Sequence, residues 1–169
     1  VCVLDPGGAS PAGDVADRHL QAGYTDPQAL VKLAALCRAV TTEFENVPAE
    51  ALARLAGQIA VSPDAEAVAI AQDRLKEKRF AQGAGLRVAP PQPVAAPEDL
   101  DRLDASLAPG VLKSLRLGYD GKGQVRIGHA RGVRAAWESL ARVPCVLERW
   151  LPIACEVSVV VARARDGAT

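Results

Sequence analysis

The run Gly118-Tyr119-Asp120-Gly121-Lys122-Gly123-Gln124 lies between two apolar, β-branched stretches, Val111-Leu112-Lys113 and Val125-Arg126-Ile127. Strand-forming residues on both sides of a glycine-rich run predict a hairpin with this run at its tip. Glycine lets a backbone approach an anion closely and turn without a Cβ penalty. Lysine adds a point charge suited to phosphate. The spacing differs from the P-loop pattern G-x-x-x-x-G-K-[ST], since two residues separate Gly118 from Gly121 and Gly123 follows the lysine. No convincing helix follows at once. The expectation is a flap that closes over the phosphate tail of a nucleotide.

Upstream, strand and helix patterns alternate. Val1-Cys2-Val3-Leu4 reads as a strand ending in Asp5-Pro6. Asp26-Pro27 starts a helix, with Asp as N-cap and Pro in the first turn, and Leu30, Leu33, Ala34 and Cys37 mark its apolar face. Ala39-Val40-Thr41-Thr42 is a second strand, running into Glu43-Phe44-Glu45-Asn46. Pro48 opens a helix with Ala51, Leu52 and Leu55 inward, and Ile59-Ala60-Val61 is a third strand. Alternation with short connections predicts an α/β unit with a parallel sheet under helices. Ser62-Pro63 begins a helix through about Ile70, and Asp73 caps another from Arg74 to about Ala84, stopped by Gly85. Ala89-Pro90-Pro91-Gln92-Pro93 reads as a stiff extended connector. Beyond it come a helix near Glu98–Leu107, the hairpin, a helix near Val133–Leu140, a strand Cys145–Glu148 and a last strand Cys155–Ala162. This second part is α+β in flavour.

Bulk properties narrow the classes. An apolar fraction of 49% suffices for a core, and with only 4% aromatics that core is built from Ala, Val and Leu. Twenty basic and twenty acidic residues cancel, which gives no support for nucleic acid or an acidic membrane as partner. No apolar run approaches the roughly 18 residues that span a bilayer, and no signal peptide is visible. Cys2, Cys37, Cys145 and Cys155 are scattered, which reads as buried free thiols in a reducing cytoplasm rather than disulfides or zinc ligands. The chain holds no methionine and opens in mid-strand, and Asp166-Gly167 signals a hairpin turn just before Thr169. The ends therefore read as an internal piece of a longer enzyme.

In order along the chain stand Asp14-Val15-Ala16-Asp17-Arg18-His19, Glu43-Phe44-Glu45-Asn46-Val47-Pro48, Gln72-Asp73-Arg74-Leu75, Lys113, Gly118 to Gln124 and Glu148-Arg149-Trp150-Leu151. Together they resemble the 5-(carboxyamino)imidazole ribonucleotide synthetases, ATP-grasp ligases of purine biosynthesis. The resemblance covers essentially the whole chain and about half of the family's length. It implies a Rossmann-like parallel-sheet domain lacking its leading strand over residues 1–62 and a helical linker over 63–93. An α+β ATP-grasp lid would follow over 94–169, with the C-terminal lobe absent. It also implies ATP and Mg2+ as cofactors, with the metal carboxylates beyond Thr169 and no metal ligand within the chain. Substrates would be ATP, bicarbonate and 5-aminoimidazole ribonucleotide, the location cytoplasmic and the assembly a homodimer.

Residue roles follow from the same resemblance. Lys113, which alone reads as a solvated strand-end lysine, becomes an ATP-phosphate contact. Backbone amides of Gly118, Gly121, Gly123 and Gln124 would cover the phosphates. Tyr119, Asp120 and Lys122 would face the ribonucleotide or carboxyphosphate as catalytic groups. Glu148, Arg149, Trp150 and Leu151 would form the adenine hinge, Glu156 would accept from the ribose hydroxyls, and Arg74 would be a nucleotide contact. Independently of the resemblance, strand alternation would send Phe44 to one side and Glu43 and Glu45 to the other, at the C-terminal end of a parallel strand where ligands bind. Glu43 or Glu45 would therefore meet the aminoimidazole or order Asn46, with helix capping toward Pro48 as the plain alternative. His19 and His129 lack metal-ligand spacing. Two rival readings stay open: another ATP-grasp carboxylate–amine ligase, and a nucleotide-binding module without chemistry. A NAD-binding Rossmann domain lacks its G-x-G-x-x-G here.

Overall fold

The computed structural model describes residues 1–118 and 122–162. Strand β1 (Cys2–Leu4), a single-turn helix α1 (Pro11–Asp14) and strand β2 (Arg18–Leu20) open the chain. Helix α2 (Pro27–Leu36), β3 (Ala39–Val40), α3 (Ala49–Ala56) and β4 (Ala60–Val61) follow. β1 pairs parallel with β2, and β3 parallel with β4. Asp26 caps α2 as expected, accepting from the Ala29 N–H at 2.8 Å, with Pro27 behind it. Leu30 and Leu33 of α2 and Ala51 and Leu55 of α3 are buried against Leu4, Leu20, Val40 and Val61.

The expected single parallel sheet is two separate two-stranded ladders. Between them lies an apolar cleft of about 590 Å³, walled by Leu4, Val40, Leu30, Leu33 and Leu55. Among the described residues no strand bridges the two pairs. The short helix α1 and strand β2 carry no apolar periodicity and were not legible in the sequence. The second strand stops at Val40, two residues early, because Thr42 Oγ1 donates to the Phe44 carbonyl at 2.9 Å and turns the chain. Glu43, Phe44 and Glu45 therefore lie in a turn, and the alternation expected to separate Phe44 from the two carboxylates does not operate.

Helix α4 (Ala65–Ala71) starts after Asp64, whose carboxylate accepts from the Ala67 N–H, rather than at Ser62-Pro63. Helix α5 (Arg74–Gly83) begins where expected, since Asp73 Oδ1 accepts from the Leu75 and Lys76 N–H groups at 3.1 Å each. Beyond it stand β5 (Pro91–Val94), α6 (Pro97–Leu100), β6 (Gly110–Ser114), β7 (Gln124–Ile127), α7 (Val133–Ser139) and β8 (Cys145–Arg149). They form one antiparallel sheet in the order β5-β8-β6-β7.

Three expectations change here. The Ala89–Pro93 connector contains a strand, β5, which pairs with β8 at the sheet edge, where proline's missing N–H costs no ladder bond. The helix expected near Glu98–Leu107 breaks after Leu100 and resumes as a 3-10 turn over Ala105–Leu107. The Gln92 side chain causes the break: its amide donates to the Arg102 carbonyl at 2.7 Å and its oxygen accepts from the Asp104 N–H at 2.8 Å. Cys155–Ala162 forms no ladder and leaves Val157, Val159, Val160 and Val161 exposed, because among the described residues no strand lies beside it.

Alternation along β6 and β8 decides what the second sheet presents. Leu112, Cys145 and Leu147 point to a core with Val94, Ile127, Val133 and Trp137. Val111, Lys113 and Glu148 face the other way. Of the expected buried thiols, Cys145 is fully enclosed, Cys2 and Cys37 are half-buried, and Cys155 is exposed on the unpaired segment. Burial pushes the Cys145 thiol from 9.0 up to about 11. Below pH 9 the thiol is protonated folded or unfolded. Between pH 9 and 11 the unfolded chain releases the proton first, so stability falls as pH rises, by at most about 1.4 kcal/mol per unit. Urea melts from pH 8 to 11 should show that slope reduced in Cys145→Ala; an identical slope would exclude Cys145 as its source.

Candidate functional site

Register assembles the site. In the β6–β7 ladder Val111 opposes Arg126 and Lys113 opposes Gln124; in the β6–β8 ladder Val111 opposes Glu148. Opposed residues share a face, so Lys113, Gln124, Arg126 and Glu148 converge without any loop having to bring them together. With Trp150, Leu151 and Glu156 they line one cleft of about 350 Å³. The strand pair carrying the glycine flap and the exit of β8 thus bound the same space.

Within it, the Lys113 ammonium donates to Glu148 Oε2 at 3.0 Å. Glu148 is almost fully buried, although it sits on the face away from the core. The Glu148 side chain is thus turned toward cations. The Trp150 N–H donates to the Pro109 carbonyl at 2.8 Å, while Arg126 stacks over the Trp150 ring at 4.6 Å from its centroid. Arg149 also borders the cleft, and its guanidinium is engaged with the Ser106 carbonyl, to which it donates at 2.8 Å and 3.1 Å. Glu156 lies at the cleft rim on the exposed segment.

The flap's neck is built around Ser114, which is buried. Its N–H donates to the Gly123 carbonyl at 2.8 Å. Gly123 has φ +69, and a Cβ there would stand 2.5 Å from Ser114 Oγ; one on Gly118 would stand 3.1 Å from it. Gly123 is therefore required by its backbone conformation and by close packing, while a side chain at Gly118 would crowd Ser114. Lys122 is exposed beside Gly123. Tyr119, Asp120 and Gly121 lie outside the described residues.

Arg74 does not line the cleft. Its guanidinium holds the neck, donating from Nε to the Ser114 carbonyl at 3.1 Å and from Nη2 to the Gly118 carbonyl at 2.9 Å. It lines a second cavity of about 390 Å³ with Glu43, Phe44, Glu45, Arg116 and Gly118. Both predicted substrate-side carboxylates therefore border the same space as the flap base. Gln72 fixes their turn, its amide donating to the Glu45 and Val47 carbonyls at 2.8 and 2.6 Å. Three residues of the site escaped the sequence reading: Ser114, Arg126 and Lys78, whose ammonium meets Glu148 Oε2 at 3.2 Å. The signal for Arg126 was its even spacing from Gln124. Lys78 stands one helical turn beyond Arg74, hidden in a charge run that reads as a solvated face. Among the described residues no cluster of three or more His, Cys, Asp or Glu could hold a metal ion. Nor, among the described residues, is any helix long and apolar enough to cross a membrane.

Residues 1–72 match the ribonucleotide synthetase preATP-grasp domain, and residues 79–169 match the ATP-grasp domain. The N5-carboxyaminoimidazole ribonucleotide synthase of Brucella melitensis biotype 1 is 42% identical over 171 residues, covering 98% of this chain and 46% of its own. The crystal structure of the Thermus thermophilus N5-carboxyaminoimidazole ribonucleotide synthetase superposes with a TM-score of 0.84 at 36% identity, over 99% of this chain and 45% of its own. The Aspergillus clavatus N5-carboxyaminoimidazole synthase, solved with ADP and 5-aminoimidazole ribonucleotide, superposes with a TM-score of 0.73 at 26% identity, over 87% of this chain and 39% of its own. The chain thus spans less than half the length of the relatives it matches.

Proposed function

Because this chain belongs to the ATP-grasp family, in its N5-carboxyaminoimidazole ribonucleotide synthase branch, we propose that it forms the nucleotide-binding part of an enzyme that carboxylates 5-aminoimidazole ribonucleotide with ATP and bicarbonate. The observation that carries the proposal is the single cleft shared by Lys113, Gln124, Trp150 and Glu156. On this reading adenine lies against Trp150 and Leu151. Since the Trp150 N–H is already bonded to Pro109, the donor to the adenine ring is the Leu151 N–H. Glu156 accepts from the ribose hydroxyls. The phosphate tail runs toward Lys113 and beneath the flap of Gly118, Gly121, Lys122, Gly123 and Gln124.

In the reaction, a bicarbonate oxygen attacks the γ-phosphorus of ATP, the bond to the β-phosphate oxygen breaks, and ADP leaves. The amine of the aminoimidazole then attacks the carboxyl carbon of carboxyphosphate: the C–N bond forms, the C–O bond to the phosphate breaks with its electron pair leaving on phosphate, and the amine nitrogen gives up a proton to solvent. Little covalent work falls to the protein in the first step; its part is charge stabilisation and positioning. Lys113 and Lys122 offset phosphate charge. Tyr119 and Asp120 face the ribonucleotide, which occupies the cavity bordered by Glu43, Glu45 and the flap base. Arg74 serves the nucleotide by holding the Ser114 and Gly118 carbonyls rather than by touching it. Magnesium, when bound, would supply positive charge that offsets the charge of the phosphates. We place the Rossmann-like unit at residues 1–62, the helical linker at 63–93 and the lid at 94–169, with β5 joining the lid's sheet. Free thiols suit a reducing cytoplasm.

The test is ADP release by the full-length protein. Release that needs both bicarbonate and 5-aminoimidazole ribonucleotide is expected. Release with bicarbonate and a different amine acceptor would instead favour another ATP-grasp carboxylate–amine ligase, and ATP binding without turnover would favour a non-catalytic module.

A further inference from the structure

Glu148, Lys113 and Lys78 come from β8, β6 and α5 and meet at one atom. The Lys113 ammonium stands 3.0 Å and the Lys78 ammonium 3.2 Å from Glu148 Oε2. The Glu148 side chain is 7% exposed, that of Lys78 17% and that of Lys113 25%. Lys113 and Glu148 border the 350 Å³ cleft on one side and, on the other, a cavity of about 280 Å³ shared with Lys78, Arg74 and Glu77. Arg74 is engaged with the flap-neck carbonyls.

We propose that Lys78 is a positioning residue that keeps Glu148 paired when Lys113 turns from it to the phosphates of the nucleotide. This rests on the ATP reading above. A lone Lys113–Glu148 pair would be neutral, and a phosphate could recruit Lys113 only by stranding a buried carboxylate, which is costly. Two ammoniums on one carboxylate change that balance. The trio carries one surplus positive charge, and Glu148 stays satisfied by Lys78 after Lys113 leaves. Lys78 thereby acts on the nucleotide through two other side chains without touching it.

The experiment measures ATP affinity and melting temperature in the full-length protein. Lys78→Met is expected to weaken ATP binding roughly tenfold, because Glu148 then retains Lys113. Adding Glu148→Gln to Lys78→Met removes the competing carboxylate and should recover most of that loss, while Lys78→Arg should bind within about threefold of wild type. A lysine that merely braces the fold gives the opposite sign: the double variant would bind ATP no tighter than the single one. That result, or a Lys78→Met variant that binds like wild type, overturns the proposal. If Lys78→Met does not fold, Lys78→Gln with and without Glu148→Gln is read by the same sign. Wild-type protein that fails to bind ATP sinks the ATP reading itself, whereas wild-type binding without rescue sinks only the role of Lys78.

Discussion

Lys113→Met is expected to lower kcat/KM for ATP by about 10²- to 10³-fold while leaving the melting temperature nearly unchanged. The methionine keeps most of the stem that lies along the sheet and removes only the ammonium. That ammonium is the one cation on β6 facing the cleft, one strand spacing from Gln124 and diagonal to Glu148. A fall of that size corresponds to roughly 3–4 kcal/mol of lost transition-state stabilisation, the scale of one charge placed where phosphate charge moves. Stability should hold because Glu148 keeps its contact with Lys78, so no buried carboxylate is orphaned. Steady-state ADP release with bicarbonate and 5-aminoimidazole ribonucleotide checks the first part, and a thermal melt the second. A change below threefold would remove Lys113 from the phosphate site.

Gly110→Ala should unfold the second sheet more easily than any surface change. A Cβ at Gly110 would sit 2.4 Å from the Leu107 carbonyl oxygen and 2.6 Å from that of Glu148. Both are backbone atoms and neither can swing aside. The strands β6 and β8 would have to part at the point where Gly110 opposes Arg149. Overpacking of this kind costs about 3 kcal/mol, which lowers the melting temperature by roughly 6–12 °C in a protein of this size. The distortion reaches the site as well, since Glu148 and Trp150 flank Arg149 at the displaced end of β8. ATP affinity should drop with stability, read by a urea melt and a binding titration on the same sample. An alanine variant that melts within a degree of wild type would mean that β6 and β8 do not approach so closely there.

Much of the fold was legible because its signals are local. Asp26-Pro27 and Asp73 cap helices with their own side chains, one turn away. The flanks of the glycine run alternate in a way that only a hairpin satisfies, and the β6–β7 ladder follows. The misreadings cluster where a distant residue intervenes. Pro91 and Pro93 read as a connector until β8, more than fifty residues on, offers them an edge. The helix toward Leu107 is cut by Gln92 from outside it. Cys155–Ala162 has strand composition but lacks a neighbour among the described residues, and composition cannot supply one.

The site divides in the same way. The flap stood out by its own glycines and lysine, whereas Lys113 and Glu148–Leu151 were singled out only by the family resemblance, since a strand-end lysine and a strand exit carry no local signal of their own. Which groups these residues meet was beyond the sequence. Glu148 and Lys113 are 35 positions apart and Arg74 and Gly118 are 44 apart, and no local rule pairs them. The sequence by itself determined the local shapes and the chemical repertoire, since caps, turns and alternation act over a few residues. Only the tertiary structure decided that Lys78 joins Glu148 and that Arg74 braces the flap, because ion pairing depends on distance in space, which the packing of α5 against the sheet sets.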